Sequence, residues 1–313
     1  VSPVRLTVPG NLLLLGEYAV LEEGGLGVAM AVNARVRLEA SPSQSPAIEA
    51  VWPGRSISWT PDRQGESPVL DSAVHAVTRW LGAPCAAKIH VDSSDLFTQD
   101  GRKTGLGSSA AVSLALVCGL LDAAGAGAAA HGAKACTLAL QAHRRAQGGR
   151  GSGYDVLTSF HGGCGLFTGG ADPGWEPCAL PGTPRVLLFA GPAPVSTAEA
   201  VEMYGTWKEN DPGAARDFLR ESNNAVTSFV RSRSDAQALL WFTACRQLGI
   251  ELGRSIGMTA ELEIPPGVDP KWCKALGAGN ELGLCLLPPG AQPPDDASLR
   301  LVPQADAGVQ WET

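Results

Sequence analysis

Short runs in which apolar and polar residues alternate fill the first third of the chain, at residues 4–8, 27–39, 47–52, 55–59 and 87–92. A period of two puts every second side chain on one face, so each run predicts a strand, and together they predict an early antiparallel sheet. One helix interrupts them around 71–81, where Val74, Val77, Trp80 and Leu81 recur three or four residues apart. That stripe should cover one face of the sheet. Between 105 and 160 the period lengthens and predicts helices over 108–123, roughly 130–147, and from about 152. The small-residue tract AAGAGAAAHGA reads as a connection between the first two. A strand is expected at 163–167, and the stretch ADPGWEPCALPGTPR that follows has the composition of an exposed turn or linker. A boundary near Pro184 then divides the chain into domains 1–183 and 184–313. Beyond it the pattern predicts a strand at 186–190, three helical stretches within 196–253, a strand around 261–264, a glycine turn at 276–279 and β-prone ends.

Composition narrows the class. With 313 residues and 44% apolar content the chain can bury a sizeable core in two domains. A formal net charge of -7 argues against a nucleic-acid binder held by phosphate contacts, but leaves room for a basic pocket that takes a small anion. Eight cysteines stand singly, with no CxxC pair, and read as reduced core residues. The five histidines are dispersed and offer no zinc or iron spacing. The first residues, VSPVRLTVPG, do not read as a signal peptide, and the longest apolar stretch, 110–121, is short for a membrane span. The expectation is a cytoplasmic enzyme with a small-molecule partner, no nucleic acid and no membrane, as a monomer or a homodimer.

Four segments carry candidate chemistry. Lys103-Thr104-Gly105-Leu106-Gly107-Ser108-Ser109-Ala110 runs straight into an apolar helix. The glycines permit close backbone approach, the serines suit a helix start, and the helix N-terminus adds partial positive charge beside the Lys103 ammonium. Together these make an anion cradle, and the bland alternative is a capped core helix after a tight turn. Because the lysine precedes the glycines, the segment is not a Walker A loop. The second, from His143 to Val156, places Arg150, Gly151, Ser152 and Gly153 before a helix whose first turn holds Asp155. Alone, an aspartate there is explained by the helix dipole, although Arg144, Arg145 and Arg150 nearby favour a site that meets anions. The third, Pro9 to Glu22, is an apolar run ending in Gly16-Glu17-Tyr18, which by itself reads as a buried strand and a turn. The fourth, Lys274 to Gly283, is a glycine turn that contains Gly279 and Asn280 and opens into a strand.

In this order and spacing the four segments resemble the signature set of the GHMP kinases. KTGLGSSAAV and AHRRAQGGRGSGYDVLTSFHGG are most similar to the phosphomevalonate kinase branch, as is the stretch from Pro194 through Ser196 and Thr197 to Lys208. The resemblance, which spans residues 9–287, implies an α+β fold with an N-terminal domain like the second domain of ribosomal protein S5 and a ferredoxin-like C-terminal domain. It implies ATP and Mg²⁺ as cofactors, with Gly105, Leu106, Gly107, Ser108, Ser109 and Ala110 wrapping the phosphates and Ser108 reaching the metal. Asp155 would face the reacting groups and Lys103 would neutralise transferring phosphate, while Glu17, Tyr18, Arg150, Ser152, Gly153, Gly279 and Asn280 would contact the acceptor. The acceptor is then a phosphorylated or hydroxy-acid metabolite.

Two positions depart from that family pattern. Asn11 stands where members usually carry lysine, and Lys103, then Arg150, Arg145 and Arg102, are the candidates to supply the missing charge. Asn280-Glu281 replaces the usual glycines and aspartate, and Glu281 is a candidate stand-in. The rival readings are a mevalonate or other alcohol kinase of the same family, which needs Asp155 as proton acceptor, and a non-catalytic ATP-binding homologue.

Overall fold

The computed structural model describes residues 3–191, 197–277, 279, 281–288, 290–296 and 298–312. The chain forms two compact units, one of residues 1–12, 30–163 and 304–313, the other of 13–29 and 164–303. The expected boundary near Pro184 falls inside the second unit, where the Pro/Gly-rich stretch includes one short strand and the turn that leads to the next.

In the first unit the strands are β1 (Val4–Leu15), β2 (Leu26–Pro42), β3 (Ala47–Trp52), β4 (Arg55–Trp59), β5 (Ala87–Asp92) and β12 (Gln310–Glu312), in the order β12-β1-β2-β5-β3-β4. The ends of β1 and β2, from residue 13 to residue 29, belong to the second unit. β12 pairs antiparallel with β1, placing Thr7 opposite Gln310, and β2 pairs antiparallel with β5, placing Leu38 opposite Val91. The sheet is mixed and not wholly antiparallel as its periodicity suggested, because β3 and β5 run parallel with Ile48 opposite Ile89. Two strands in the same direction need a crossover between them, and helix α1 (Pro68–Leu81) provides it. Ser67 caps α1 by accepting from the Leu70 N–H, and Gly82 ends it in the left-handed region at φ 73°.

Helix α2 (Ser108–Ala123) is apolar nearly all round and buried along most of its length, packed against α1 and β5. A helix without a polar face must lie inside the fold, which fixes its N-terminus as a rigid mount. The helix expected over roughly 130–147 is α4 (Ala133–Ala146), preceded by a separate single turn, α3 (Gly127–Ala130). α5 (Tyr154–His161) follows and packs on α2 and α4.

The second unit contains β6 (Cys164–Thr168) and the short β7 (Gly174–Pro177), paired as a hairpin. A separate antiparallel sheet has the order β11-β8-β10-β9, from β8 (Arg185–Ala190), β9 (Cys273–Leu276), β10 (Leu282–Leu287) and β11 (Leu299–Val302). Its core gathers Leu187, Phe189, Val268, Cys273, Cys285 and Leu287. Three helices, α6 (Thr197–Asn210), α7 (Pro212–Val230) and α8 (Asp235–Ile256), complete the unit. The strand expected at 261–264 does not form. Pro265 and Pro266 follow at once and cannot donate to a ladder, and Leu262 and Ile264 pack on the core from irregular backbone. The segment 194–196 lies outside the described residues, as do Ala278 and Asn280.

All eight cysteines are free thiols, six of them buried. Among the described residues no helix is long and apolar enough to cross a membrane. The architecture is α+β in two parts, a mixed sheet with helices and then helices with an antiparallel sheet.

Candidate active site

In the first unit the glycine loop is held from beneath by Asn11. Its backbone N–H donates to the Leu106 carbonyl at 3.0 Å, and its side-chain amide donates to the Ser159 hydroxyl of α5 at 3.0 Å. Asn11 is 1% exposed and forms a buried polar tie between β1, the loop and α5. Gly107 lies flat on that amide: its φ is 69°, and a Cβ there would sit 2.2 Å from Asn11 Nδ2. Glycine is therefore demanded twice, by conformation and by contact.

Gly107 is also the N-cap of α2, and no side chain caps that end. The first N–H groups of a helix have no partner within the helix, so the N–H groups of Ser108, Ser109 and Ala110 are free to meet an anion. Ser108 is buried at the helix start and Lys103 is exposed nearby, without an ion-pair partner among the described residues. Lys103 is held in place through its backbone by a bridge to Phe97, and Thr104 donates to the Leu96 carbonyl through both its N–H and its hydroxyl. Arg102, a candidate for the missing charge, is occupied with Asp100 at 2.7 Å. Arg145 is exposed in the last turn of α4, and Arg150 is exposed in the segment that joins α4 to α5.

Asp155 sits in the first turn of α5, aimed by the loop before it. Arg144 of α4 donates to the carbonyls of Gly151, at 3.2 Å, and Ser152, at 2.7 Å, clamping that loop. Gly153 adopts φ 89°, the left-handed conformation that turns the chain into α5, with the Leu140 side chain close beneath it. Ser152 is buried, and its hydroxyl accepts from the Tyr154 N–H at 3.4 Å.

Both Asp155 oxygens are engaged. Oδ1 accepts from the Val156 N–H at 2.9 Å, and Oδ2 lies 2.7 Å from His143 Nε2. Burial pushes the carboxyl upward, but the imidazole's charge and hydrogen bond, with the Val156 N–H, hold it below the usual carboxylate range. Burial likewise pushes His143 down, and the Asp155 charge and hydrogen bond outweigh it, raising the imidazole against the opposing charge of Lys103. Nothing in the spacing of the second segment assigns His143 a role. The signal was present, since His143 falls on the buried stripe of α4 with Ala135, Leu138, Ala139 and Ala142, where an imidazole needs a partner.

The second unit brings Glu17, Tyr18 and Gly279 together around a cavity of about 30 Å³, room for one water, with Lys274 and Arg246 also in its wall. Lys274 is 3% exposed and donates to the Glu17 carboxylate, the Leu14 carbonyl at 3.3 Å and the Ala275 carbonyl at 2.6 Å. Tyr18 is a non-glycine residue at φ 64°, with its ring 5.3 Å from that of Tyr204. Burial, helped by Glu17, raises its phenol to about 12. Glu281 is exposed, and its carbonyl accepts from the Gly191 N–H. Asn280, expected to contact the acceptor, lies outside the described residues.

A mixed-sheet unit with helices and a unit of helices with an antiparallel sheet make a two-domain α+β GHMP kinase-like fold. Residues 69–163, which carry the glycine loop and Asp155, match the family described as GHMP kinases N terminal domain. The chain is similar in fold to a Lin0012 protein from Listeria innocua, with a TM-score of 0.78, 20% identity and 99% of each chain covered. It is also similar to Streptococcus pneumoniae phosphomevalonate kinase in complex with phosphomevalonate and AMPPNP, with a TM-score of 0.67, 17% identity, and 90% of this chain and 92% of that one covered. A third likeness is L. major mevalonate kinase in complex with R-mevalonate, with a TM-score of 0.66, 16% identity and 96% of each chain covered. No curated protein matches the chain.

Proposed function

We propose that the chain is a GHMP-family phosphotransferase that moves the γ-phosphate of ATP onto phosphomevalonate to give the diphosphate. The observation that carries this reading is the uncapped N-terminus of α2 behind Gly105, Leu106 and Gly107, with Asp155 aimed by its own rigid loop in the same unit. The donor set suits ATP and Mg²⁺: backbone N–H groups at 108–110 for phosphate oxygens, the Ser108 hydroxyl for the metal, and the Lys103 ammonium for the transferring group. When bound, the metal supplies charge compensation for the phosphates. The residues of this chain position the phosphates, exclude uncompensated charge and present an ionised carboxylate to the acceptor. Phosphoryl transfer passes through a loose transition state, so positioning and electrostatics supply most of the acceleration. An acceptor that is already a phosphate monoester needs little deprotonation near neutrality.

Arg150, Ser152 and Gly153 in the first unit, and Glu17, Tyr18, Gly279 and Asn280 in the second, are the proposed acceptor contacts. Support for the phosphomevalonate reading comes from the KTGLGSS and AQG patterns and from the S. pneumoniae likeness. A second reading, an alcohol acceptor such as mevalonate, is favoured by one observation: Asp155 is held ionised by His143, the state a proton acceptor requires.

The test is ADP release with Mg-ATP and a panel of phosphomevalonate, mevalonate, diphosphomevalonate, homoserine and galactose. Turnover on phosphomevalonate alone supports the first reading and turnover on mevalonate the second. ATP binding with no turnover on any acceptor favours a non-catalytic homologue.

A further inference from the structure

We infer that His143 is a positioning residue for the phosphoryl-transfer step: through Nε2 it fixes Oδ2 of Asp155, so that the carboxylate is aimed at the acceptor by two helices instead of one. The inference rests on the kinase reading above and deepens it at the same site.

The geometry is specific. Asp155 rides on α5, where the Val156 N–H holds Oδ1, and a carboxylate held at one oxygen can still swing about its χ angles. The 2.7 Å contact from His143 removes that freedom, because the imidazole belongs to α4 and only 2% of its side chain is exposed. Gln147, one turn further along α4, packs its side-chain amide 3.0 Å from the same ring nitrogen, whose hydrogen is given to Asp155. The other ring nitrogen, Nδ1, is buried and has no hydrogen-bond partner among the described residues. Among the described residues the polar contacts of the ring all fall on Nε2, the nitrogen that faces Asp155. A histidine present only to fill space between helices would satisfy both nitrogens or be replaced by an apolar residue.

Burial alone would neutralise the carboxylate; the imidazole opposes that and keeps the acid ionised. Helices α1, α2, α3 and α5 pack on α4. Of the ionisable groups described, Asp155 of α5 attracts the protonated ring, and Lys103, from the segment before α2, repels it. The unpartnered Nδ1 limits how far the imidazole can rise, since protonation adds a buried N–H with no acceptor. Asp155 and His143 therefore titrate as a pair, with the proton shared across the Nε2–Oδ2 contact.

Two measurements on the full chain test the inference. The first is an NMR titration of the imidazoles in wild type and Asp155→Asn. The expected result is a His143 midpoint above about 6.5 that falls in the variant; an identical midpoint in both chains overturns the pairing. The second is the pH dependence of kcat/KM for wild type, His143→Gln and His143→Ala. His143→Ala should lower kcat by about ten- to a hundredfold, move the acid limb to higher pH and change KM for ATP by less than about threefold, while His143→Gln, which can still donate, should recover much of the plateau rate. An unchanged acid limb, or equal loss in both variants, overturns the positioning role. If wild type transfers phosphate to no acceptor, the kinase reading fails and the catalytic part of this inference falls with it, whereas the titration still decides the pairing independently.

Discussion

Among the described residues each unit pairs an acid with a buried basic side chain, and the two pairs are put to different use. In His143–Asp155 the side chains are 2% and 18% exposed; in Lys274–Glu17 they are 3% and 13% exposed. Burial is nearly the same, so burial does not distinguish them. Saturation does. Lys274 spends its donors on Glu17, Leu14 and Ala275, joining residues that lie 257 or more positions from it in the chain to its own strand. An ammonium so committed is a fastener. His143 directs one nitrogen at Asp155 and leaves the other without a partner among the described residues, and although burial pushes the imidazole down, the Asp155 charge and hydrogen bond raise it above its ordinary value. That pair is tunable, and it sits in the same unit as the glycine loop proposed to cradle phosphate.

The sharpest way to break the comparison is to remove the acid on the tunable side. Asp155→Asn should reduce turnover by about 10²–10⁴-fold while ATP affinity stays near wild type, measured by ADP release and nucleotide titration. Near-normal turnover would take Asp155 out of the catalytic machinery. On the other side, Lys274→Met leaves Glu17 buried without its cation and should cost about 3–5 kcal/mol in urea unfolding. Adding Glu17→Gln to that variant should recover part of the loss, which would separate a stranded charge from lost packing.

A smaller effect is expected from Lys103→Met, because Lys103 is exposed and, on the proposed function, would meet phosphate as a point charge. Nucleotide affinity and turnover should each fall by about tenfold. If neither changes, Arg145 and Arg150 supply the charge that Asn11 lacks.

The smallest effect is on stability against pH. The Asp155 pKa is lowered on folding, so its contribution is present above the unfolded value of about 3.9 and is lost as pH falls through the folded one. The His143 pKa is raised, so its contribution is present below about 6.5 and is lost as pH rises through its folded value. Melting temperatures should therefore show the pair's contribution at its fullest between those limits, and Asp155→Asn should flatten the profile there.

What could be read from the chain before its structure was local chemistry. Glycines at 107 and 153 ahead of apolar helices announced both turns, because the demand for positive φ and the helix start lie within a few neighbouring residues. The same locality made the outlines of α1, α2 and β1 to β5 legible. Strand direction was not, since a period of two is identical in parallel and antiparallel ladders, and β3 with β5 came out parallel. β7, four residues within a Pro/Gly-rich stretch, carried too short a pattern to see. Asn11 looked like a missing cation, and only the approach of β1 to Gly107 and Ser159 reveals it as a tie beneath the loop. The partners of His143 and Lys274 depend on how helices and strands pack, which no spacing along the chain records.

The most direct test of the central claim is to follow the phosphorus nuclei by ³¹P NMR as wild type and Asp155→Asn act on Mg-ATP and phosphomevalonate. The account predicts that wild type consumes the monoester signal and builds the pair of coupled signals of a new diphosphate, while Asp155→Asn leaves the monoester intact over the same time. ADP formation without a diphosphate product, or equal transfer by both chains, would contradict it.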